Sequence, residues 1–392
     1  MQYSLFRQAV VLGLVSAIGP FAIDMYLPAL PAIGRSLSAD VRAVQLSLTS
    51  FFLALGLCQL FYGPLSDRHG RKPPLYAGLL LFIAGSIGCA LAPDIDTLVA
   101  MRFVAGVGAC AGTVVPRAIV RDLHTGAEAT RLTSLLLLVF SVSPMLAPLA
   151  GSAVIAVADW RWIFGAVIGL AVLALVLVAT QLDESRPPEA RRPAAAGGAL
   201  AVYAALLRDR HFLGLTLLGG FGMSGFFSYL GSSSFVLIGH YGLTPMQYSF
   251  FFSINAAAFI GAAQLNGRLC ARYGLVQVVK AGVAGFALLA GLLWALFALA
   301  GVDRLDVLAV LVFGAFGFLG LVVPTVAVLA LEDHGEVAGT ASALFGTTQM
   351  VIGALVMGVL SSFADGTALP MVHGIGACAL MAALLAAATL RR

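Results

Sequence analysis

Charge is what this chain has least of. Asp, Glu, Lys and Arg make up 10% of its 392 residues, where a soluble domain carries about a quarter. A chain of this length could bury a large core, but its water-facing surface would need many more ionised groups, so a soluble globular protein is excluded. Lysine is scarcest. Lys72 and Lys280 follow Arg71 and Val279, and neither completes the Gly-Lys-Ser/Thr of a phosphate loop, which disfavours an ATP-driven pump. There is no H-E-x-x-H metal site. Cys58, Cys89, Cys110, Cys270 and Cys378 lie in or at the ends of apolar runs without ligand spacing and read as packing residues. No metal and no cofactor is expected. Alternation of lumen-facing and lipid-facing residues over ~10-residue segments is missing, which argues against a transmembrane β-barrel. Arg7 leads straight into a full-length apolar run with no small-residue cleavage site behind it, so no cleavable signal is expected.

What fills the chain instead is apolar sequence: 60% hydrophobic residues at a mean hydropathy of +1.00. Runs of about 20 residues bounded by charged or turn-forming residues predict twelve membrane spans. They cover 8–30, 45–65, 75–93, 97–118, 132–156, 162–181, 209–232, 247–268, 276–301, 306–330, 337–363 and 370–390. The fold class is therefore all-α and integral to a membrane. With both termini placed in the cytoplasm, most Lys and Arg, from Arg7 and the Arg68–Lys72 cluster to Arg191, Arg192, Arg391 and Arg392, fall on the cytoplasmic face. The other face has Arg35, Arg42, Arg161 and Arg304. The net charge of +4 is then sidedness rather than the footprint of a nucleic-acid partner.

The chain also echoes itself. Gly63, Arg68 and Gly70 recur at Gly267, Arg272 and Gly274, a shift of 204 from Gly70 to Gly274, with Ala271 in place of Asp67. Gly112-Thr113-Val114-Val115-Pro116 recurs as Gly320-Leu321-Val322-Val323-Pro324, a shift of 208. Two echoes with similar shifts favour duplication into parallel halves of six spans each. The expected domains are a bundle over 1–182, a cytoplasmic linker over 183–208 and a second bundle over 209–392. The linker begins with the polar, proline-containing Asp183-Glu184-Ser185-Arg186-Pro187-Pro188.

Ionisable groups inside a membrane are functional candidates. Asp24 is the only carboxylate well inside a predicted span, roughly 9 Å from its end, and Arg102 lies roughly 8 Å inside the fourth. The similar depth allows a silent ion pair. It equally allows exchange, in which Asp24 holds a proton in apolar surroundings and releases it when Arg102 approaches. Tyr26 could line the same cavity or belong to the interfacial aromatic belt. Pro144 and Pro148, with Gly151, predict a kink in the fifth span, because each proline removes a backbone donor. Phe140, Phe227, Asn255, Phe345 and Gln349 are candidate cavity residues, with simple packing as the alternative for each. Gly222-Met223-Ser224-Gly225 matches the G-x-S-G of intramembrane serine proteases, with His373 a conceivable base. Close helix packing explains it better, and the chain is not expected to be an enzyme.

Between the second and third spans stands Gly63-Pro64-Leu65-Ser66-Asp67-Arg68-His69-Gly70-Arg71-Lys72. It reads as a positively charged turn in which Asp67 can accept from free backbone amides. The stretch resembles the G-x-x-x-D-x-x-G-R-K loop signature of the major facilitator superfamily. Leu98, Arg102, Ala105, Gly106, Gly108 and Ala109 resemble its fourth-helix pattern, with Ala105 replacing the usual amide. Pro144, Pro148 and Gly151 resemble an altered form of the exporters' fifth-helix pattern. The wording there, with Asp24-Met25-Tyr26-Leu27-Pro28 and Arg117-Ala118-Ile119-Val120-Arg121-Asp122, is similar to the bicyclomycin and chloramphenicol resistance (Bcr/CflA) drug-efflux subfamily. The resemblance implies a monomeric, proton-driven antiporter exporting several small amphipathic compounds across a bacterial inner membrane by alternating access. Arg102 would couple protonation to substrate release. Gly63, Asp67, Arg68, Gly70, Arg71 and Lys72 would latch the cytoplasmic ends of the bundles. Ser16 stands where some relatives carry a second acid. A facilitator, or a metabolite or amino-acid transporter, on the same fold is the alternative.

Overall fold

The computed structural model describes residues 2–124, 126–190 and 198–390, so Arg191, Arg192, Arg391 and Arg392 of the sidedness argument lie outside the described residues. Among the described residues there is no strand, and twelve helical segments are long and apolar enough to cross a membrane. The chain divides into two compact units, Met1–Ala196 and Gly197–Arg392.

The first unit contains α1 (Gln2–Asp24), α2 (Leu30–Ser36), α3 (Val41–His69), α4 (Lys72–Ala90), α5 (Ile95–Leu123), α6 (Gly126–Val157) and α7 (Arg161–Gln181). The second contains α8 (Gly198–Arg208), α9 (Arg210–Ser234), α10 (Pro245–Tyr273), α11 (Leu275–Trp294), α12 (Leu305–Glu332), α13 (Ala338–Ser361) and α14 (Leu369–Thr389). Within the first unit α5 packs on α3, α4 and α1, while α1 packs on α6 and α7, and α4 on α7. Within the second, α12 packs on α10, α11 and α9, while α9 packs on α13 and α14, and α11 on α14. Each of these contacts of one unit has its counterpart in the other.

Local sequence explains where these helices start and stop. Asp40 caps α3 by accepting from the Ala43 amide at 2.7 Å, Asp94 caps α5 through Thr97 at 2.8 Å, and Thr244 with Gln247 forms a reciprocal capping box on α10. Small residues set how closely helices approach. A Cβ at Gly85 would lie 2.5 Å from the Ala105 amide nitrogen, and one at Gly108 would collide with the Phe82 backbone, so α4 and α5 meet backbone to backbone. Large apolar side chains such as Leu80, Leu138 and Leu384 remain more than half exposed, as a lipid-facing surface allows.

The two echoes differ in what they carry. The shift of 204 matches structure: it relates the capped starts of α3 and α10, Asp40 and Thr244, as well as their glycine ends. The shift of 208 does not, because α5 and α12 begin 210 apart, at Ile95 and Leu305. Gly112 abuts the Val15 carbonyl of α1, whereas Gly320 abuts the Phe259 carbonyl of α10.

Three sequence expectations need refinement. The charged turn is mostly helix, since α3 continues through Pro64 to His69 and leaves only Gly70 and Arg71 outside. The expected first span, 8–30, is not one helix. It breaks after Asp24 into a 3-10 turn, Leu27–Ala29, followed by α2. The expected linker, 183–208, contains the whole of α8, which its prolines and glycines had masked. In the fifth span, α6 runs unbroken through Pro144 and Pro148.

Candidate functional site

The break in the first span creates the site. In a continuous helix the Ala22 carbonyl would accept from the Tyr26 amide, but here that amide turns to Ile23 at 3.3 Å. The freed Ala22 oxygen accepts instead from Arg102 Nη1 at 3.1 Å. A cation at the carboxyl end of a helix is favourably placed against the helix dipole. Arg102 therefore satisfies the backbone that Pro28 and its turn leave open, 80 residues away in the chain.

Arg102 is 1% exposed, and its guanidinium lies 4.2 Å from the centre of the Phe51 ring and 4.5 Å from that of Tyr26. Its Nε and Nη2 have no hydrogen-bond partner among the described residues. Asp24 is 5% exposed and makes no hydrogen bond or ion pair with any described residue. Arg102 thus reaches the backbone of α1 two residues before Asp24 without pairing with its carboxyl, and the silent ion pair is absent. Tyr26 is fully buried, with its hydroxyl at 2.8 Å from Ser47 Oγ, so it belongs to this cluster rather than to an aromatic belt. Gly151 of α6 closes the site: a Cβ there would collide with the Met25 carbonyl, so only glycine lets α6 lie against the break.

The second cluster surrounds the α3–α4 turn. Arg71, 3% exposed, forks onto Asp122 through Nε at 2.6 Å and Nη2 at 3.1 Å, and reaches Ser66 and Asp67 through Nη1 at 2.7 and 2.8 Å. Burial alone would pull the guanidinium down, but hydrogen bonds and charge from Asp122, with help from Asp67, outweigh it and hold its pKa above the ordinary arginine value. Asp67 also accepts from Arg186 Nη1 at 2.9 Å. The free backbone amides that Asp67 was expected to satisfy belong to another acid: Glu184 accepts from the amides of Arg71 at 2.8 Å and Lys72 at 3.0 Å, capping α4. Lys72 Nζ donates to the Leu182 carbonyl at 2.6 Å. Sequence reasoning quoted Asp122 and Glu184 but gave them no role; their one-dimensional signal was an acid at the end of an apolar span. Gly63 joins this network through its carbonyl, which accepts from Ser66 Oγ at 2.9 Å, Gly70 supplies its turn, and Arg68 makes no hydrogen bond or ion pair with it.

The remaining candidates separate by unit. Phe140 in the first lies 5.4 Å below the Arg117 guanidinium. In the second, Asn255 is 2% exposed and donates to the Tyr229 hydroxyl at 3.2 Å. Phe227 packs on Phe226, and a Cβ at Gly219 would lie 2.9 Å from Phe345 and 3.0 Å from Gln349 Nε2. The protease-like tetrapeptide is a packing element: Ser224 Oγ is buried and donates to Gly220, while His373 is exposed and holds the Leu369 carbonyl.

Comparison with known proteins fixes the family. The profile of the Major Facilitator Superfamily matches residues 12–358. An uncharacterized MFS-type transporter, YdgK of Bacillus subtilis, is 36% identical over 93% of this chain and 90% of its own length. A bicyclomycin resistance protein homolog of Haemophilus influenzae is 29% identical over 98% of this chain and 96% of its own. Among solved structures, a D-xylose-proton symporter superposes with a TM-score of 0.75 at 16% identity, covering 98% and 97% of the two chains, a likeness of fold alone. With its twelve spans, six in each of its two units, and a family match across most of its length, the chain belongs to the major facilitator superfamily as a multi-pass membrane transporter of small molecules.

Proposed function

We propose that this chain works as a monomer in a bacterial inner membrane, with both termini in the cytoplasm, exporting small amphipathic compounds in exchange for protons. Support for the drug-efflux reading comes from the bicyclomycin resistance homolog, whose similarity extends over nearly the whole chain. Support for proton coupling comes from one arrangement: a buried, unpartnered carboxyl on Asp24 at the end of α1, two residues past the Ala22 carbonyl held by a buried arginine whose Nε and Nη2 are also unpartnered. Each charge costs free energy while unpaired in an apolar setting, and each lowers the other's cost on approach. A proton on Asp24 and the Arg102 guanidinium are therefore alternatives, and a substrate that disturbs the Tyr26–Arg102–Phe51 stack shifts the balance between them.

The turn around Arg71 acts in this reading as the latch of the cycle. Asp67 suits the role because its side chain is 48% exposed while held by two arginines, so it can change partners without burying a lone charge. Asn255, Phe227, Phe345 and Gln349 supply apolar and amide surface for substrate.

The test is substrate movement in proteoliposomes under an imposed pH gradient. Wild type should accumulate substrate uphill, and Asp24→Asn, which keeps the shape and loses the titrating charge, should only equilibrate it. Uphill transport retained in Asp24→Asn removes Asp24 as the proton carrier. Equilibration that ignores the gradient in both proteins replaces the exporter with a facilitator.

A further inference from the structure

Two buried polar groups of the second unit are left without a role by its packing. Thr216 on α9 is 1% exposed and Gln349 on α13 is 8% exposed, and neither Thr216 Oγ1 nor Gln349 Nε2 has a hydrogen-bond partner among the described residues. Their neighbours on the same two helices are satisfied. Ser224 Oγ donates to the Gly220 carbonyl at 2.7 Å, Ser228 Oγ to that of Ser224 at 2.8 Å, and Thr348 Oγ1 to that of Leu344 at 2.8 Å. A buried donor without an acceptor keeps its whole desolvation cost, so each exception calls for a cause.

The helical period brings both exceptions to one seam. Gly219 and Gly220 turn toward α13: a Cβ on the first would lie 2.9 Å from Phe345 Cζ and 3.0 Å from Gln349 Nε2, and one on the second 2.7 Å from Ile352 Cδ1. Thr216 stands one turn before them and so faces α13 as they do. The seam offers an amide that donates, a hydroxyl that donates or accepts, and the Phe345 ring. It offers no charge: α9 has only Arg210 and His211, in its first turn, and α13 has no charged residue. A ligand held here is therefore held through an uncharged acceptor oxygen, with a ring of its own against Phe345.

We propose that Gln349 and Thr216 set specificity: among aromatic solutes they favour those with an uncharged acceptor oxygen, an amide or ester carbonyl or a sulfonyl, that takes up the two unused groups. This rests on the reading of Phe345 and Gln349 as substrate surface, and adds which chemistry that surface selects.

The test is equilibrium dialysis of the full chain in nanodiscs, with empty nanodiscs subtracted, using two probes of one shape: benzanilide, which carries an amide carbonyl, and trans-stilbene, which carries none. No pH gradient is applied, so the result is independent of proton coupling. Wild type should bind benzanilide at least about tenfold more tightly than trans-stilbene, because the latter leaves both buried groups unpaired. Thr216→Val with Gln349→Leu should bring that preference to within about twofold, by weakening benzanilide and leaving trans-stilbene as it was. A role in packing alone would move both probes equally. If the double variant does not fold, the wild-type ratio decides by itself. Phe345→Leu should weaken both probes by a similar factor. Equal binding of the two probes by wild type, binding of neither, or a preference that survives the double variant overturns the proposal, while a loss of binding in Phe345→Leu keeps the surface. Phe345→Leu that weakens neither probe removes the surface itself, and with it the reading beneath the proposal.

Discussion

The α3–α4 and α10–α11 turns have the same backbone and different chemistry. Both are entered by a helix of 29 residues whose first turn is capped by an oxygen side chain, and both reverse at a glycine of positive φ, 91° at Gly70 and 81° at Gly274. In the first turn Asp67, Arg71 and Lys72 join Asp122, Glu184 and Arg186 in a continuous network. At the matching positions of the second stand Ala271, Leu275 and Val276. There Arg272 merely lies over its neighbour Tyr273, at 5.2 Å. The reversal therefore needs the glycine and not the charges. A network that the fold can do without in one copy is a candidate for function in the other.

The largest expected effect comes from making the first turn chemically like the second. Arg71→Leu leaves Asp122 without its bidentate partner and should cost on the order of 3 kcal/mol in denaturant unfolding of the purified protein. Arg272→Leu should stay within about 0.5 kcal/mol, as a surface substitution does. Equal costs would break the comparison. A sharper test asks whether the backbones are equivalent: Gly70→Ala and Gly274→Ala should each cost about 2 kcal/mol, because both force a Cβ into a backbone region reserved for glycine. Unequal costs would show that the network, rather than the turn, sets the strain at Gly70.

The smallest effect separates the units by acid. The second unit lacks the Arg71 network but has Asp209, which caps α9 and faces His334. Partial burial pushes this carboxyl up, yet the Phe212 and His211 amides with the His334 charge hold its pKa below the ordinary aspartate value. A depressed acid stabilises the fold above its unfolded pKa and loses that contribution as pH falls through the folded one. Thermal stability should therefore decline as pH falls from about 5 to about 3. Asp209→Asn, which still caps, should lose that part of the slope. An unchanged slope would remove Asp209 as its source.

Much of this was readable along the chain. Asp24 stood out because a carboxylate in an apolar run has no cheap explanation, and the glycine, aspartate and basic residues of the turn are contiguous. The spans were legible to within several residues because lipid imposes a length and a composition on any helix that crosses it. Glu184 was not legible as the cap of α4, because it lies 113 residues from Arg71 and nothing local says which amides it will meet. Helix α8 was hidden for a different reason: its alanines and leucines follow a stretch of proline and glycine that reads as linker.

The sequence by itself determined the membrane, the number of crossings and the presence of an acid, Asp24, and a base, Arg102, inside membrane spans, since each follows from composition within a single segment. Only the tertiary structure decided what those groups touch. Arg102 binds the Ala22 carbonyl and not Asp24, because the first span breaks beneath it and opens an acceptor there. That choice depends on the approach of two helices, which glycines such as Gly151 permit and no single segment contains.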